Sequence, residues 1–175
     1  MSTLHSKTGV RKLHKAAREE FGPRRDLCFL LQDWDDGYNV GGLFRVADGC
    51  GASELVMTGK TPVPPDNPMI GVTSLGQHRR IPFRHFVHHE DACLKLKEEG
   101  WTLVAVEIAE GAQSYQSFEF PARTCLVLGN EGAGVYGKVM KHVDYCVYIP
   151  MLGKGRSLNV TVSAAIVAFE AILRA

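Results

Sequence analysis

Three short stretches of this chain set polar side chains among glycines directly after apolar runs. That arrangement lets a ligand approach main-chain groups at the end of a strand and the start of a helix. The first is Asn39-Val40-Gly41-Gly42-Leu43-Phe44-Arg45, the second Leu128-Gly129-Asn130-Glu131-Gly132-Ala133-Gly134. The third runs Ile149-Pro150-Met151-Leu152-Gly153-Lys154-Gly155-Arg156-Ser157-Leu158-Asn159 and continues into an apolar C-terminal segment. Each has a bland alternative. Asn39, Ser157 and Asn159 could cap helices, and Arg45 could pair with Asp48 one turn on. In the second stretch a carboxylate, Glu131, sits among three glycines, which disfavours a phosphate ligand and favours a hydroxyl, an amine or an arginine. Three such exits in one chain weaken the capping alternative.

Two nucleotide motifs are approached and missed. Gly132 to Val139 has the spacing G-x-x-x-x-G-K, but Val139 stands where a hydroxyl would be needed to hold magnesium. Gly129 to Gly134 carries the glycines of a dinucleotide fingerprint in the wrong order, with no acidic residue about 20 positions downstream on a second strand. Neither an NTPase nor a dinucleotide fold is expected.

The elements that must position these residues follow from the apolar pattern. Asp26 to Leu31, Ser53 to Thr58, Thr102 to Glu107, Thr124 to Leu128 and Asp144 to Ile149 read as buried strands. Gly41 to Cys50, Glu90 to Glu99, Val135 to His142 and Asn159 to Arg174 read as helices. Continuous apolar strands alternating with helices imply an α/β fold, a parallel sheet with helices on both faces. In the first helix Leu43, Val46, Ala47 and Cys50 form the buried stripe, and Gly41, Arg45, Asp48 and Gly49 share another, so Arg45 should face a glycine-lined surface. The closing helix is apolar on two sides, Val162, Ile166, Phe169 and Leu173 on one and Val160, Ala164, Val167 and Ala171 on the other. It should be nearly surrounded, in part by a second subunit. Thr61 to Pro68, with four prolines, is a rigid loop between strands.

Length and composition fit one soluble domain: 175 residues, 45% hydrophobic and 22% charged. The apolar runs are too short for a membrane span and Met1 to Val10 lacks the core of a signal peptide, so a cytoplasmic location is expected. Five cysteines (Cys28, Cys50, Cys93, Cys125, Cys146) with no C-x-x-C pair read as reduced core residues. His88-His89-Glu90-Asp91 reads as a solvated helix start, and no metal site is expected. The net charge of +1 hides an asymmetry. Residues 1–25 carry +5, from Lys7, Arg11, Lys12, Lys15, Arg18, Arg24 and Arg25 against Glu19 and Glu20, and the remainder carries −4. A polyanion such as RNA would be drawn to that arm, with Arg11, Lys12, Lys15 and Arg18 as contacts. Arg79, Arg80, Arg84, Lys154 and Arg156 could extend the basic face.

Taken together, in order and spacing, the three exits resemble the motifs of the SpoU branch, TrmH-like, of the SPOUT RNA methyltransferases, over residues 26–175 behind a basic arm of residues 1–25. The resemblance implies a C-terminal deep trefoil knot, S-adenosylmethionine as methyl donor, a homodimer, and transfer to a ribose 2′-hydroxyl of tRNA or else rRNA. By the same resemblance Arg45 is the catalytic arginine, accompanied by Asn39, Glu131, Ser157 and Asn159. The cofactor would rest against Leu128, Gly129, Asn130, Gly132, Ile149, Met151, Ser157 and Leu158. The basic Lys154-Gly155-Arg156 is a departure that suits RNA contact. An added N-terminal RNA-binding domain is not expected. The alternatives are a knotted methyltransferase of an RNA base nitrogen and a non-catalytic RNA-binding module.

Methyl transfer from a sulfonium needs an oxygen nucleophile held in line and relieved of its proton. The three motifs contain neither Cys nor His. Arg45 is a poor base because a guanidinium stays protonated. A charged Arg45, oriented by Glu131 and Asn39 and holding the substrate phosphate and 2′-oxygen, is the preferred role, and the proton acceptor stays open.

Overall fold

The computed structural model describes residues 5–22 and 25–173. Arg24 of the basic arm and Arg174 at the expected helix end lie outside the described residues. The described chain holds seven strands and six α-helices. They are α1 (Lys7–Phe21), β1 (Asp26–Gln32), α2 (Gly37–Cys50), β2 (Leu55–Thr58), α3 (Pro68–Ser74), β3 (Phe83–Phe86), α4 (His89–Glu98), β4 (Thr102–Val106), β5 (Gln113–Ser114), β6 (Arg123–Leu128), α5 (Gly137–Met140), β7 (Tyr145–Tyr148) and α6 (Val160–Leu173).

All strand pairs are parallel, in the order β3-β2-β1-β6-β4-β7-β5. The expected α/β sheet is therefore present. The alternation of β1 divides the core. Leu27, Phe29 and Leu31 pack with Leu43, Phe44 and Ala47 of α2 and Ala164, Val167 and Ala168 of α6. Cys28 and Leu30 face the other way, with Ala92, Cys93 and Leu96 of α4 and Val139 of α5. Burying each large apolar side chain contributes about 1.5–3 kcal/mol, which is why both layers hold.

The five expected strands are found with ends shifted by up to two residues. Three helical expectations change. α2 begins at Gly37, four residues before Gly41, because the Asp36 carboxylate accepts the Tyr38 N–H at 2.8 Å and caps it. Asn39 is consequently inside the helix and is not its cap. α5 shrinks to one turn. α6 buries its Ala164, Val167 and Ala171 side, but Val162, Phe169 and Leu173 are 42–47% exposed, so this chain alone does not surround it.

Several elements were not anticipated: α1 within the basic arm, α3, β3 and the two-residue β5. The proline-rich segment after β2 leads into α3 rather than into a strand, with Asn67 capping α3 through Met69 N–H at 3.0 Å. α3 lies so close to α2 that a side chain at Gly41 would run into Thr73 and the Ile70 carbonyl. That glycine serves helix packing, not ligand approach. All five cysteines are free thiols, and burial pushes Cys50 up to about 11 and Cys93 up to about 12.

Candidate active site

The sheet changes direction at β1: the chain proceeds from β1 outward to β2 and β3, then returns to place β6 on the other side of β1. Crevices outside the carboxyl ends of strands at such a reversal are where open α/β sheets hold ligands. Here the crevice is a cleft of about 580 Å³, a volume suited to a small organic ligand. Its walls come from the exits of β1, β4, β6 and β7 and the start of α6.

All eight residues expected at a cofactor line this cleft: Leu128, Gly129, Asn130, Gly132, Ile149, Met151, Ser157 and Leu158. The three motifs meet there through one run of hydrogen bonds. Asn39 donates from Nδ2 to Glu131 Oε1 at 3.1 Å, and Asn159 donates from Nδ2 to Asn39 Oδ1 at 2.9 Å. The Thr161 hydroxyl adds a bond to the Asn39 carbonyl at 3.0 Å. Glu131 also accepts the Asp35 and Asp36 N–H groups, at 3.1 and 3.4 Å. Asn159 caps α6 as well, its Oδ1 accepting from Thr161 and Val162 N–H. The capping and the site-building functions of Asn159 thus coexist in one side chain. Ser157 lines the cleft and is exposed.

Asn130 is fully engaged within the protein. Its Oδ1 accepts from Gly132 and Ala133 N–H at 3.0 Å, and its Nδ2 donates to the Asp33 carbonyl and to Asp35. Its backbone is paired as well, N–H to the Gly134 carbonyl at 3.1 Å and carbonyl to the Gly134 N–H at 2.9 Å, so Asn130 shapes the loop that a ligand would meet. Asp35 also receives Lys60 Nζ at 2.7 Å, and the bonds from Lys60 and Asn130 hold its carboxyl below the usual range.

Sequence reasoning missed Glu107, Ile108, Tyr148, Asp35 and Asp36 as cleft residues. Glu107 follows β4 as Glu131 follows β6, and its carboxylate accepts Val135 N–H at 3.0 Å and Ile108 N–H at 2.8 Å. A carboxylate at a strand exit was the signal for Glu131 and is equally present at Glu107; no glycine marks it.

Arg45 is not in the cleft. It is exposed on α2, and among the described residues no hydrogen bond or ion pair is formed by it, with Asp48, Glu131 or any other group. Neither the alternative pairing with Asp48 nor the expected orientation by Glu131 and Asn39 is made among the described residues of this chain. Lys154 and Arg156 are exposed in the loop after β7, and Arg156 reaches the cleft wall. Arg11, Lys12, Lys15 and Arg18 are exposed on α1, with Lys15 3.7 Å from Glu19. Arg84 leaves the basic face: its guanidinium is clamped between Glu54 and Glu99 at 2.7 and 2.8 Å.

His89 also departs from expectation. It opens α4 but is 5% exposed rather than solvated, bonded to Thr58 and Asp33. Among the described residues no cluster of His, Cys, Asp and Glu could hold a metal ion, and no helix is long and apolar enough to cross a membrane.

A parallel sheet whose three motifs meet at one small-molecule cleft is the arrangement expected of the SpoU RNA methyltransferases that the sequence resembles. Residues 26–169 match the SpoU rRNA Methylase family, and the chain belongs to it. It is 32% identical to a tRNA (guanosine(18)-2′-O)-methyltransferase of Thermus thermophilus, over 83% of this chain and 74% of that protein. It is also 32% identical to the 23S rRNA (guanosine(2553)-2′-O)-methyltransferase RlmP of Bacillus subtilis, over 81% of this chain and 56% of that protein. Among solved structures, the SpoU methyltransferase AviRb of Streptomyces viridochromogenes superimposes with a TM-score of 0.77 at 26% identity, covering 87% of this chain and 61% of AviRb. AviRb has also been solved in complex with its cofactor AdoMet. Several of these relatives are therefore substantially longer than this chain.

Proposed function

We propose that this protein is an S-adenosylmethionine-dependent RNA methyltransferase that modifies a ribose 2′-hydroxyl, of tRNA or else of rRNA. The observation that carries the reading is the Asn159–Asn39–Glu131 run, which joins all three motifs at the rim of one cleft. The cleft also suits this cofactor chemically. Leu128, Ile149, Met151 and Leu158 offer apolar surface to a nucleoside, and Asp35, Asp36, Glu107 and Glu131 surround it with negative charge, which favours a sulfonium and an ammonium. When bound, S-adenosylmethionine supplies an electrophilic methyl group.

The protein's own residues divide the remaining work. Leu128, Gly129, Gly132, Ile149, Met151 and Leu158 hold the cofactor, largely through backbone. Glu131, Asn39 and Asn159 keep the three loops in fixed relation, so that little reorganisation is needed on binding. Arg45 stays charged and orients the substrate phosphate and 2′-oxygen. Because it stands outside its own chain's cleft, Arg45 serves the cleft of a partner subunit, and the exposed Val162, Phe169 and Leu173 of α6 provide the homodimer contact. The loops after β6 and β7 form the deep trefoil knot of the fold, within the domain of residues 26–175. The arm of residues 1–25, with Lys154 and Arg156, meets RNA phosphates, and the protein works in the cytoplasm.

Calorimetric titration with S-adenosylmethionine tests the cofactor, and nuclease digestion of methylated RNA tests the product, since a 2′-O-methyl blocks cleavage at its own phosphodiester. Cofactor binding with a methyl group on a base nitrogen would overturn the ribose assignment. Absence of cofactor binding would leave an RNA-binding module.

A further inference from the structure

His89 is a buried titratable side chain for which the proposed reaction has no use. Its Nδ1 is 2.8 Å from the Thr58 hydroxyl at the end of β2, and its Nε2 is 3.2 Å from Asp33 Oδ2 in the turn after β1. A ring nitrogen against a carboxylate carries the proton, so Nε2 faces Asp33 as a donor in either charge state of the imidazole. The Tyr136 ring packs edge-on against His89, at 5.7 Å between centroids.

Asp33 itself is unusual. Its φ is 52°, in the left-handed region that side chains other than glycine hold only when their surroundings over-determine them. The surroundings here do so. Asp33 Oδ1 accepts Lys60 N–H at 2.9 Å, and its backbone carbonyl accepts Asn130 Nδ2 at 2.6 Å. Gly59 adjoins them, and a side chain there would collide with the Asp33 carboxylate and the His89 ring. One aspartate thus ties the exits of β1 and β2, the start of α4 and the loop after β6. Directly downstream lie the Asp35 and Asp36 N–H groups held by Glu131, and then Asn39. The direction in which the chain leaves Asp33 sets where this whole wall of the cleft stands. Neither His89 nor Asp33 lines the cleft.

We infer that His89 and Asp33 are a positioning pair that locks the turn after β1 and thereby sets cofactor affinity without touching the cofactor. The inference rests on reading the cleft as the S-adenosylmethionine site. His89→Ala in the full chain should weaken S-adenosylmethionine binding by about 10-fold in titration calorimetry, since displacement of a wall by even 1 Å acts at a distance. It should raise KM for the cofactor and leave kcat within about 3-fold. His89→Gln, whose amide can still donate to Asp33, should recover most of the affinity. Leu96→Ala, a cavity in the buried face of the same helix, is the control for general destabilisation and should leave the affinity within about 2-fold. Hydrogen exchange without any cofactor gives a second readout. The amides of residues 35–39 should exchange about 10-fold faster in His89→Ala than in the parent, and at the parent rate in Leu96→Ala. Unchanged exchange at residues 35–39 in His89→Ala would overturn the pair, as would equal losses of affinity in His89→Ala and Leu96→Ala. A parent protein that bound no cofactor would instead defeat the assignment of the cleft, and exchange would still decide whether the pair locks the turn.

Discussion

The cleft and the outer face of α2 lie within two helical turns of each other and are built on opposite plans. In the cleft the polar side chains Asn39, Asn130, Glu107, Glu131 and Asn159 each bond to another part of the chain. Six residues after Asn39, Arg45 is exposed and makes no hydrogen bond or ion pair among the described residues, and the same holds for Lys154 and Arg156 in the loop after β7. The difference separates two tasks. A small cofactor is bound best by groups already held in place, because their ordering cost has been met during folding. A large polyanion is met best by cations whose bonding capacity is still free, since each can exchange water for phosphate.

The sharpest way to break this division is at Arg45. Arg45→Ala should lower single-turnover methylation with saturating RNA by about 100-fold or more, with cofactor affinity and thermal stability close to the parent. Arg45→Lys should fail nearly as badly, since a point charge does not reproduce the planar fork. Near-normal turnover by Arg45→Ala would return the arginine to ordinary surface.

Glu131→Ala should have a smaller effect of the opposite kind. It leaves the Asp35 and Asp36 N–H groups and Asn39 without their partner, and should weaken S-adenosylmethionine binding by about 10-fold at a cost of about 1 kcal/mol in stability. Chemical denaturation and calorimetry on the same sample check both. Unaltered affinity would mean that the prearranged rim does not serve the cofactor.

Removing residues 1–20 deletes five basic and two acidic side chains and should weaken RNA binding while reducing its salt dependence. Filter binding across a salt series is the measurement, and an unchanged slope would show that the arm does not touch RNA. Cofactor affinity should not move.

The smallest effect concerns Arg84, the cation withdrawn from the RNA face. Its guanidinium holds the Glu99 carboxyl below the usual range, so the pair's contribution is full above the carboxyl's ordinary value of 4.5 and is lost as pH falls through the lowered value. Arg84→Gln should cost about 1 kcal/mol at neutral pH and flatten the loss of stability on acidification, read from Tm against pH.

How much of this was legible in the sequence follows the same division. The five expected strands could be read because each is a largely apolar run, and β1, β2, β4 and β6 are buried on both faces; β7 keeps Tyr145 exposed and buries Val147. β5, two residues long, and β3, whose Phe83 and His85 remain exposed, carry no such signal. The cleft residues of the second and third motifs could be read because glycines after a strand mark a backbone exit. Glu107 could not, for want of that mark. The position of Arg45 outside the cleft was not legible either, since helical spacing gives the stripe a residue occupies but not what the stripe faces. His89 was misjudged for a related reason. Its neighbours His88, Glu90 and Asp91 are polar, and its burial depends on Asp33, 56 positions earlier in the chain.

The position of β6 has a consequence for how the molecule comes into being. It is the strand that joins β3-β2-β1 to β4-β7-β5, pairing six residues with β1 and four with β4. A nascent chain that has not yet delivered residues 123–128 holds β3-β2-β1 with an open, apolar edge at β1, while β4 and β5 still lack β7, the strand that pairs with both. Pairing across such sequence separation is slow, and exposed edges invite association. Completion of the sheet and closing of the cofactor cleft both wait for the C-terminal third of the chain, because Asn130 and Glu131 follow β6, and Ile149, Met151 and Asn159 follow β7. A refolding protein should regain its cofactor binding only with its last kinetic phase, however early its helices return.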